Sequence, residues 1–194
     1  MNEVNMEKLR DQVKKALDVK SKCLENLKNA KKENYPILRA KFDMANEKYW
    51  ILQEKFDYLS SNYVAGDNEI EIKRFGDTIE NMYDIYLKDK GIKIGHIDYR
   101  GYHFSDITGD IGYVIDSRYK GHNYGYKSLS LLVNYLYQHN IPDFYISVYV
   151  DNIPSLKIVL RAIMNFGGEV VKLNGNMVTF ECKTNVKNDV VNKM

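Results

Sequence analysis

The chain has 194 residues, and its 28 lysines and arginines nearly cancel 26 aspartates and glutamates, for a formal net charge of +2. The basic residues are scattered rather than striped, so the sequence gives no general case for a nucleic-acid or anionic-membrane partner. No apolar run approaches the ~18–20 residues of a membrane span, the N-terminus lacks a signal-peptide pattern, and a cytoplasmic protein is expected.

Residues 1–60 contain no glycine and a single proline, Pro36. Apolar or small residues recur at Met6, Leu9, Val13, Ala16, Cys23, Leu27 and Ala30, with Lys20 interrupting the series. After Pro36 the series is Leu38, Phe42, Ala45, Tyr49, Leu52, Phe56 and Leu59, in steps of four and three. That is the stripe of a helix in a coiled coil or hairpin. The residue before a proline is pushed out of the helical region, so a break is expected near Tyr35. Two helices of this length with a short connection should pack antiparallel, each covering the other's stripe. Residues 61–68, rich in small and polar side chains, read as a linker.

From Glu69 the period changes to two. Strands are expected at about 69–73, 82–87 and 92–99, with a turn over Lys88 to Gly91. A strand over Ile111 to Ile115 precedes a helix over Tyr124 to His139, whose Leu129, Leu132, Val133 and Leu136 share a face. Then come a strand over Phe144 to Val150, a helix from Pro154 to about Asn165 ended by Gly167 and Gly168, and a hairpin turning at Gly175. The tail, 185–194, is polar and reads as flexible. The strand–helix–strand portion requires a parallel pair, and the rest reads as antiparallel. The expected class is therefore α+β: a mixed, mostly antiparallel sheet flanked by helices over 69–184, preceded by an antiparallel helical hairpin. Cys23 and Cys182 have no metal-ligand spacing, and His96, His103, His122 and His139 share none either. No metal is expected.

The stretch with most chemical content runs from Asp110 to Leu129: a strand, a short turn holding Gly121 and Gly125, and a helix start. The first turn of a helix has N–H groups with no internal partner, and its dipole favours an anion. Glycines let the backbone approach a phosphate closely. Arg118 and Lys120 stand just before this run of donors.

Three local motifs and the order of elements resemble the GNAT family of acetyl-coenzyme A-dependent N-acetyltransferases, over roughly residues 82–182. The family signature is Gln or Arg, two residues, Gly, one residue, then Gly or Ala. It falls here on Lys120, Gly121, His122, Asn123, Tyr124 and Gly125, with Asn123 standing where glycine is usual. Asn tolerates positive φ better than most residues. A bacterial subgroup has similar wording, Tyr-Arg-Gly-His-Asn-Tyr-Ala. The second motif is Asn152 with Ser155, after the strand ending at Val150. The third is the Gly167–Gly168 pair.

The resemblance implies acetyl-coenzyme A as co-substrate and an amine as acceptor. It implies a pyrophosphate site over Arg118, Lys120, Gly121, His122, Asn123, Tyr124, Gly125 and Tyr126. Tyr113, Val114 and Ile115 would pair with the pantetheine amides as an added half-strand does, and a backbone N–H near Val114 would meet the thioester oxyanion. Asn152 would bond the pantetheine arm or order the strand ends, with Ser155 close to the cofactor. The family's usual glutamate base corresponds to Asp110 here, acting through water. The usual tyrosine acid corresponds to Ile158 or Val159, so the acid is absent there and Tyr149 or Tyr124 is the substitute, Tyr149 taken first. Asp98, Arg100 and Tyr102 share a strand face that could border an acceptor pocket, or simply be solvated.

The leading expectation is an N-acetyltransferase for a primary amine, on a small molecule or a protein N-terminus. The alternative is a coenzyme A-binding interaction protein with weak or no catalysis, working through its hairpin. A homodimer through the N-terminal helices fits either reading.

Overall fold

The four-and-three spacing of the first sixty residues is realised as two long helices, α1 over Glu3–Lys28 and α2 over Tyr35–Ser60, joined by a 3-10 turn at Lys32–Asn34. Pro36 sits in the first turn of α2, where its missing N–H costs nothing. The helices run antiparallel: the Arg10 guanidinium lies 5.8 Å from the Phe56 ring centre, and the Lys20 ammonium lies 4.5 Å from that of Tyr49. Lys20 therefore continues the seam rather than breaking it. It is half-buried, its stem lying along the apolar stripe and its charge over Tyr49 and Trp50.

The computed structural model describes residues 3–74, 82–100, 109–139, 141 and 144–182. Tyr102, His103 and the tail 185–194 lie outside the described residues. The chain divides into two compact units, Met1–Ser61 and Asn62–Met194.

Residues 61–68, read as a linker, instead hold strand β1, Asn62–Gly66. Tyr63, Val64 and Ala65 accept the extended backbone, and the strand pairs antiparallel with β2, Ile70–Arg74, across a register shift between Tyr63 and Ala65. The connecting turn is made by Asp67, whose Oδ1 accepts the N–H groups of Glu69 at 2.7 Å and Ile70 at 2.8 Å. Lys127 reaches the same turn and pairs with Asp67 and Glu69.

The remaining elements are β3 Met82–Leu87, β4 Ile92–Arg100, β5 Asp110–Ile115, α3 Tyr124–Gln138, β6 Phe144–Tyr149, α4 Ile153–Phe166, β7 Glu169–Asn174 and β8 Met177–Cys182. They form one eight-stranded sheet in the order β1-β2-β3-β4-β5-β6-β8-β7. Every neighbouring pair is antiparallel except β5–β6. The fold is thus the expected α+β class.

The core lies on the sheet face that carries α3 and α4. Ile72, Ile85, Ile97, Ile111 and Phe144 from the strands meet Leu129, Leu132 and Leu136 of α3 there. Each large aliphatic side chain so buried contributes about 1.5–3 kcal/mol. Gly95 is required on β4 because a Cβ there would lie 2.2 Å from the Val114 carbonyl oxygen. Cys182 is buried, and burial together with nearby Glu181 pushes its thiol up to about 12, so it is inert as a nucleophile at neutral pH.

Burial pushes the Asp67 carboxyl up, but the N–H groups of Ile70 and Glu69 and the charge of Lys127 outweigh it and hold the carboxyl below its ordinary range. A lowered carboxyl contributes stability above its unfolded value and loses it as pH falls through the folded one. Asp67→Ala should lower stability at pH 7 by about 1 kcal/mol, a screened turn contact. Asp67→Asn retains the acceptor and should cost less, and its deficit against the parent should vanish in acid. Urea unfolding at pH 7 and pH 3 checks both; a deficit independent of pH would show that the charge does not matter.

Candidate functional site

Strands β5 and β6 are parallel, yet they register at one pair, Asp110 with Tyr145. Beyond it they part. The Tyr145 N–H donates to Gly109 O at 2.9 Å, and the next donor along β6, the Ser147 N–H, is met at 3.2 Å by the Asp110 carboxylate rather than by main chain. A side chain thus closes the ladder where the fork opens.

Which peptide groups face the fork follows from the β4–β5 register. The Asp116 N–H donates to Ile94 O at 2.8 Å, so Ile94 and Asp116 form a hydrogen-bonded pair. Antiparallel pairs alternate, which makes His96–Val114 and Asp98–Gly112 hydrogen-bonded pairs too. The peptide groups of Val114 are thereby committed to β4. Those of Ile111, Tyr113 and Ile115 point the other way, into the fork, in agreement with the direction of the Gly109 carbonyl. Of the three positions expected to offer main-chain groups, Tyr113 and Ile115 face the fork, and Val114 does not. The Val114 side chain, 53% exposed, lies on the sheet face opposite α3 and α4.

The turn after β5 has the geometry an anion needs. Gly121 has φ +85°, and a Cβ there would meet nothing within 4 Å, so its surroundings are open. Asn123 has φ 64° and is the only non-glycine residue with positive φ among those described. It caps α3, whose first N–H groups, from Tyr124 to Tyr126, have no partner inside the helix. Gly125 is buried, and a Cβ on it would lie 3.1 Å from Ile158 Cδ1 and 3.2 Å from Tyr113 Cε2. Close packing of α3 on α4 and β5 thus favours glycine here. Open space at Gly121, a left-handed cap and unpaired helix donors fit a pyrophosphate.

The flanking charges divide. The Arg118 guanidinium is held by Asp116, with Nη2 to Oδ2 at 2.9 Å. Through that hydrogen bond Arg118 pulls the Asp116 carboxyl down to about 2, so the pair stays ionised across the working pH range. Lys120 is exposed, with no carboxylate partner among the described residues. His122 stacks on Tyr124, ring centres 5.6 Å apart. A cation that sequence spacing does not indicate is Arg161 on α4. Its guanidinium lies 3.9 Å from the Tyr126 ring centre, and its Nη1 donates to Asn123 Oδ1 at 3.2 Å. Asn165 donates to the Tyr126 hydroxyl.

At the α4 start, Asn152 Oδ1 accepts the Ser155 N–H at 3.3 Å. Asn152 therefore acts as a helix cap that orders the β6–α4 junction. Ser155 is half-buried near Tyr113. Tyr149, by the alternation along β6, projects on the opposite sheet face with Tyr145 and Ser147, and it is 54% exposed. The structure thus brings together Tyr113, Ile115, the 120–126 turn and the α4 start, and sets Tyr149 and Val114 on the other face. Asp110 stands at the apex between them. Among the described residues no group of three or more His, Cys, Asp or Glu is placed to hold a metal ion. No described helix is long and apolar enough to cross a membrane.

Gly121→Glu should abolish coenzyme A binding, because a carboxylate would stand where the anion goes. The position is open, so the added side chain meets no neighbour and the backbone strain at φ +85° stays local to the turn; the helix and sheet signals in circular dichroism should be retained. Calorimetric titration checks this; undiminished affinity would remove the turn as the site.

A family model described as acetyltransferase (GNAT) domain matches residues 30–165. No curated protein matches the chain. Similar solved structures include a GNAT-family acetyltransferase from Bacillus anthracis, 17% identical, TM-score 0.44, with 54% of this chain covering 66% of that one. The ribosomal-protein-S5-alanine acetyltransferase of Vibrio fischeri is 15% identical, TM-score 0.43, covering 76% of this chain and 75% of that one. The yncA protein of Salmonella typhimurium, solved with its cofactor acetyl-CoA, is 12% identical, TM-score 0.43, covering 55% and 66%.

Proposed function

The chain belongs to the acetyltransferase (GNAT) domain family, and from that premise we propose that it moves an acetyl group from acetyl-coenzyme A to a primary amine. The observation that carries this reading is the fork between β5 and β6 opening beside the 120–126 turn. Acetyl-coenzyme A supplies an acyl group already activated as a thioester. The chain's own groups supply the rest. The turn's N–H donors with Lys120 and Arg161 hold the pyrophosphate. The peptide groups of Ile115 and Tyr113 align the amide arm and polarise the carbonyl oxygen. Asp110, at the apex of the fork, draws the amine proton through a water molecule. The acceptor is a small molecule or a protein N-terminus.

Titration with acetyl-coenzyme A and with desulfo-coenzyme A should each give about micromolar affinity. A screen of primary amines, followed by thiol release, should then find an acceptor. Absence of binding by both ligands would overturn the proposal.

A second reading is favoured by one observation on the hairpin. Ile37, Met44 and Ile51, seven residues apart on α2, are 61%, 72% and 59% exposed. They form a second apolar line beside the seam filled by α1, as a helix that docks on a partner or on a second copy would carry. Under this reading the hairpin is an oligomerisation or interaction device. A variant lacking residues 1–61 should then lose the parent's self-association in sedimentation. A variant that keeps the parent oligomer would exclude the role.

A further inference from the structure

An asparagine just before a helix ordinarily turns its side-chain oxygen back onto the second or third N–H of that helix. Asn123 precedes α3 and makes no such bond. Its left-handed backbone, φ 64°, is not the extended one from which a cap reaches the helix donors. The Asn123 Oδ1 instead accepts from Arg161 Nη1 at 3.2 Å. Two things follow at one place. The N–H groups of Tyr124 to Tyr126 are left without a side-chain cap, and a cation from α4 is brought to the N-terminal end of α3.

The Arg161 guanidinium is placed from more than one side. It lies over the Tyr126 ring, 3.9 Å from its centre, and the Tyr126 hydroxyl is itself held by Asn165. A guanidinium is planar and carries its N–H donors around its rim. One of them meets Asn123, and among the described residues no other acceptor and no carboxylate takes the rest. The side chain is exposed, as are Gly121, His122 and Asn123. Its remaining donors are therefore open to a ligand at the same end of α3 as the uncapped N–H groups. The other cations beside the turn differ. Arg118 is paired with Asp116, and Lys120 is an exposed ammonium on a flexible stem.

We propose that Asn123 is a positioning residue for the coenzyme A pyrophosphate: instead of capping α3, its carboxamide aims the Arg161 guanidinium at the anion that the uncapped helix donors receive. This rests on the acetyl-transfer reading above, and it adds a coupling between two residues 38 apart in the chain. Arg161 gives charge and rim donors to the phosphate oxygens. Asn123 acts through Arg161, by fixing where that rim lies. A glycine at 123 would adopt the same backbone and leave the guanidinium unaimed.

Calorimetric titration with coenzyme A and with dephospho-coenzyme A, which keeps the pyrophosphate and lacks the 3′-phosphate, tests this. Arg161→Ala should weaken both ligands about tenfold, the loss of a charge-assisted hydrogen bond. Arg161→Gln keeps a planar donor for Asn123 without the charge, and should lose nearly as much. Asn123→Gly should weaken both ligands about threefold. The double variant, Asn123→Gly with Arg161→Ala, should bind no worse than Arg161→Ala alone, because Asn123 acts through Arg161. Added salt should weaken the parent protein more than it weakens Arg161→Ala. A merely structural role in the turn would move neither of these last two readouts. Losses that multiply in the double variant would overturn the assignment, and so would equal salt dependence. Undiminished affinity in Asn123→Gly would overturn it too, as would an Arg161→Ala loss confined to coenzyme A, which would put the guanidinium on the 3′-phosphate. If the parent protein binds neither ligand, the acetyl-transfer reading itself falls and takes this assignment with it.

Discussion

The hydrogen bond from the Ser147 N–H to the Asp110 carboxylate is the contact on which the site depends. A parallel pair of strands ordinarily continues its ladder until one strand ends. Here the ladder stops after one register pair, and a side chain takes the place that main chain would hold. An unmet N–H at that point would draw the strands together or admit solvent into the sheet. With it satisfied, β6 can diverge while its outer flank stays paired with β8 along six positions. The divergence leaves main-chain donors and acceptors on β5 facing an open fork, a ready edge for an extended ligand.

The parallel orientation also decides where the helices begin. Strands β5 and β6 are parallel, and α3 and α4 follow them directly, so both helices start at the same end of the sheet. Their N-termini bracket the fork's mouth. The positive ends of two helices, with Lys120 and Arg161 beside them, therefore gather where an anionic ligand would enter. Near that mouth the Asp116 carboxylate is paired with Arg118.

Much of this was legible in the chain because it is periodic. The hairpin stripe, the alternating strands and the face of α3 are read directly from spacing, and Gly121 and Asn123 announce a turn that needs positive φ. What was not legible depends on partners far away in sequence. The stretch from Asn62 to Gly66 has small residues, a polar flank and a register shift, and only pairing with β2 makes it a strand. Lys20 looks like a break because residue type hides how its stem packs. Spacing shows that Val114 and Tyr113 lie on opposite faces, but which of them offers its N–H to the fork depends on the β4 register. Arg161 is 38 residues from Asn123, and no local pattern joins them. Asn152 carries a helix-capping signature as well as the family motif, and in the fold it is the cap that it satisfies.

Asn123 has one further consequence. A glycine would adopt its φ of 64° without strain, whereas asparagine tolerates it at a modest cost. In return its carboxamide is fastened to Arg161, which is itself pressed on Tyr126. The turn is therefore fastened to α4 before any ligand arrives. Less conformational freedom is lost on association, and the ligand's release does not wait for the loop to unlock. A turn of this kind suits a carrier molecule that must be taken up charged, discharged and exchanged at each cycle.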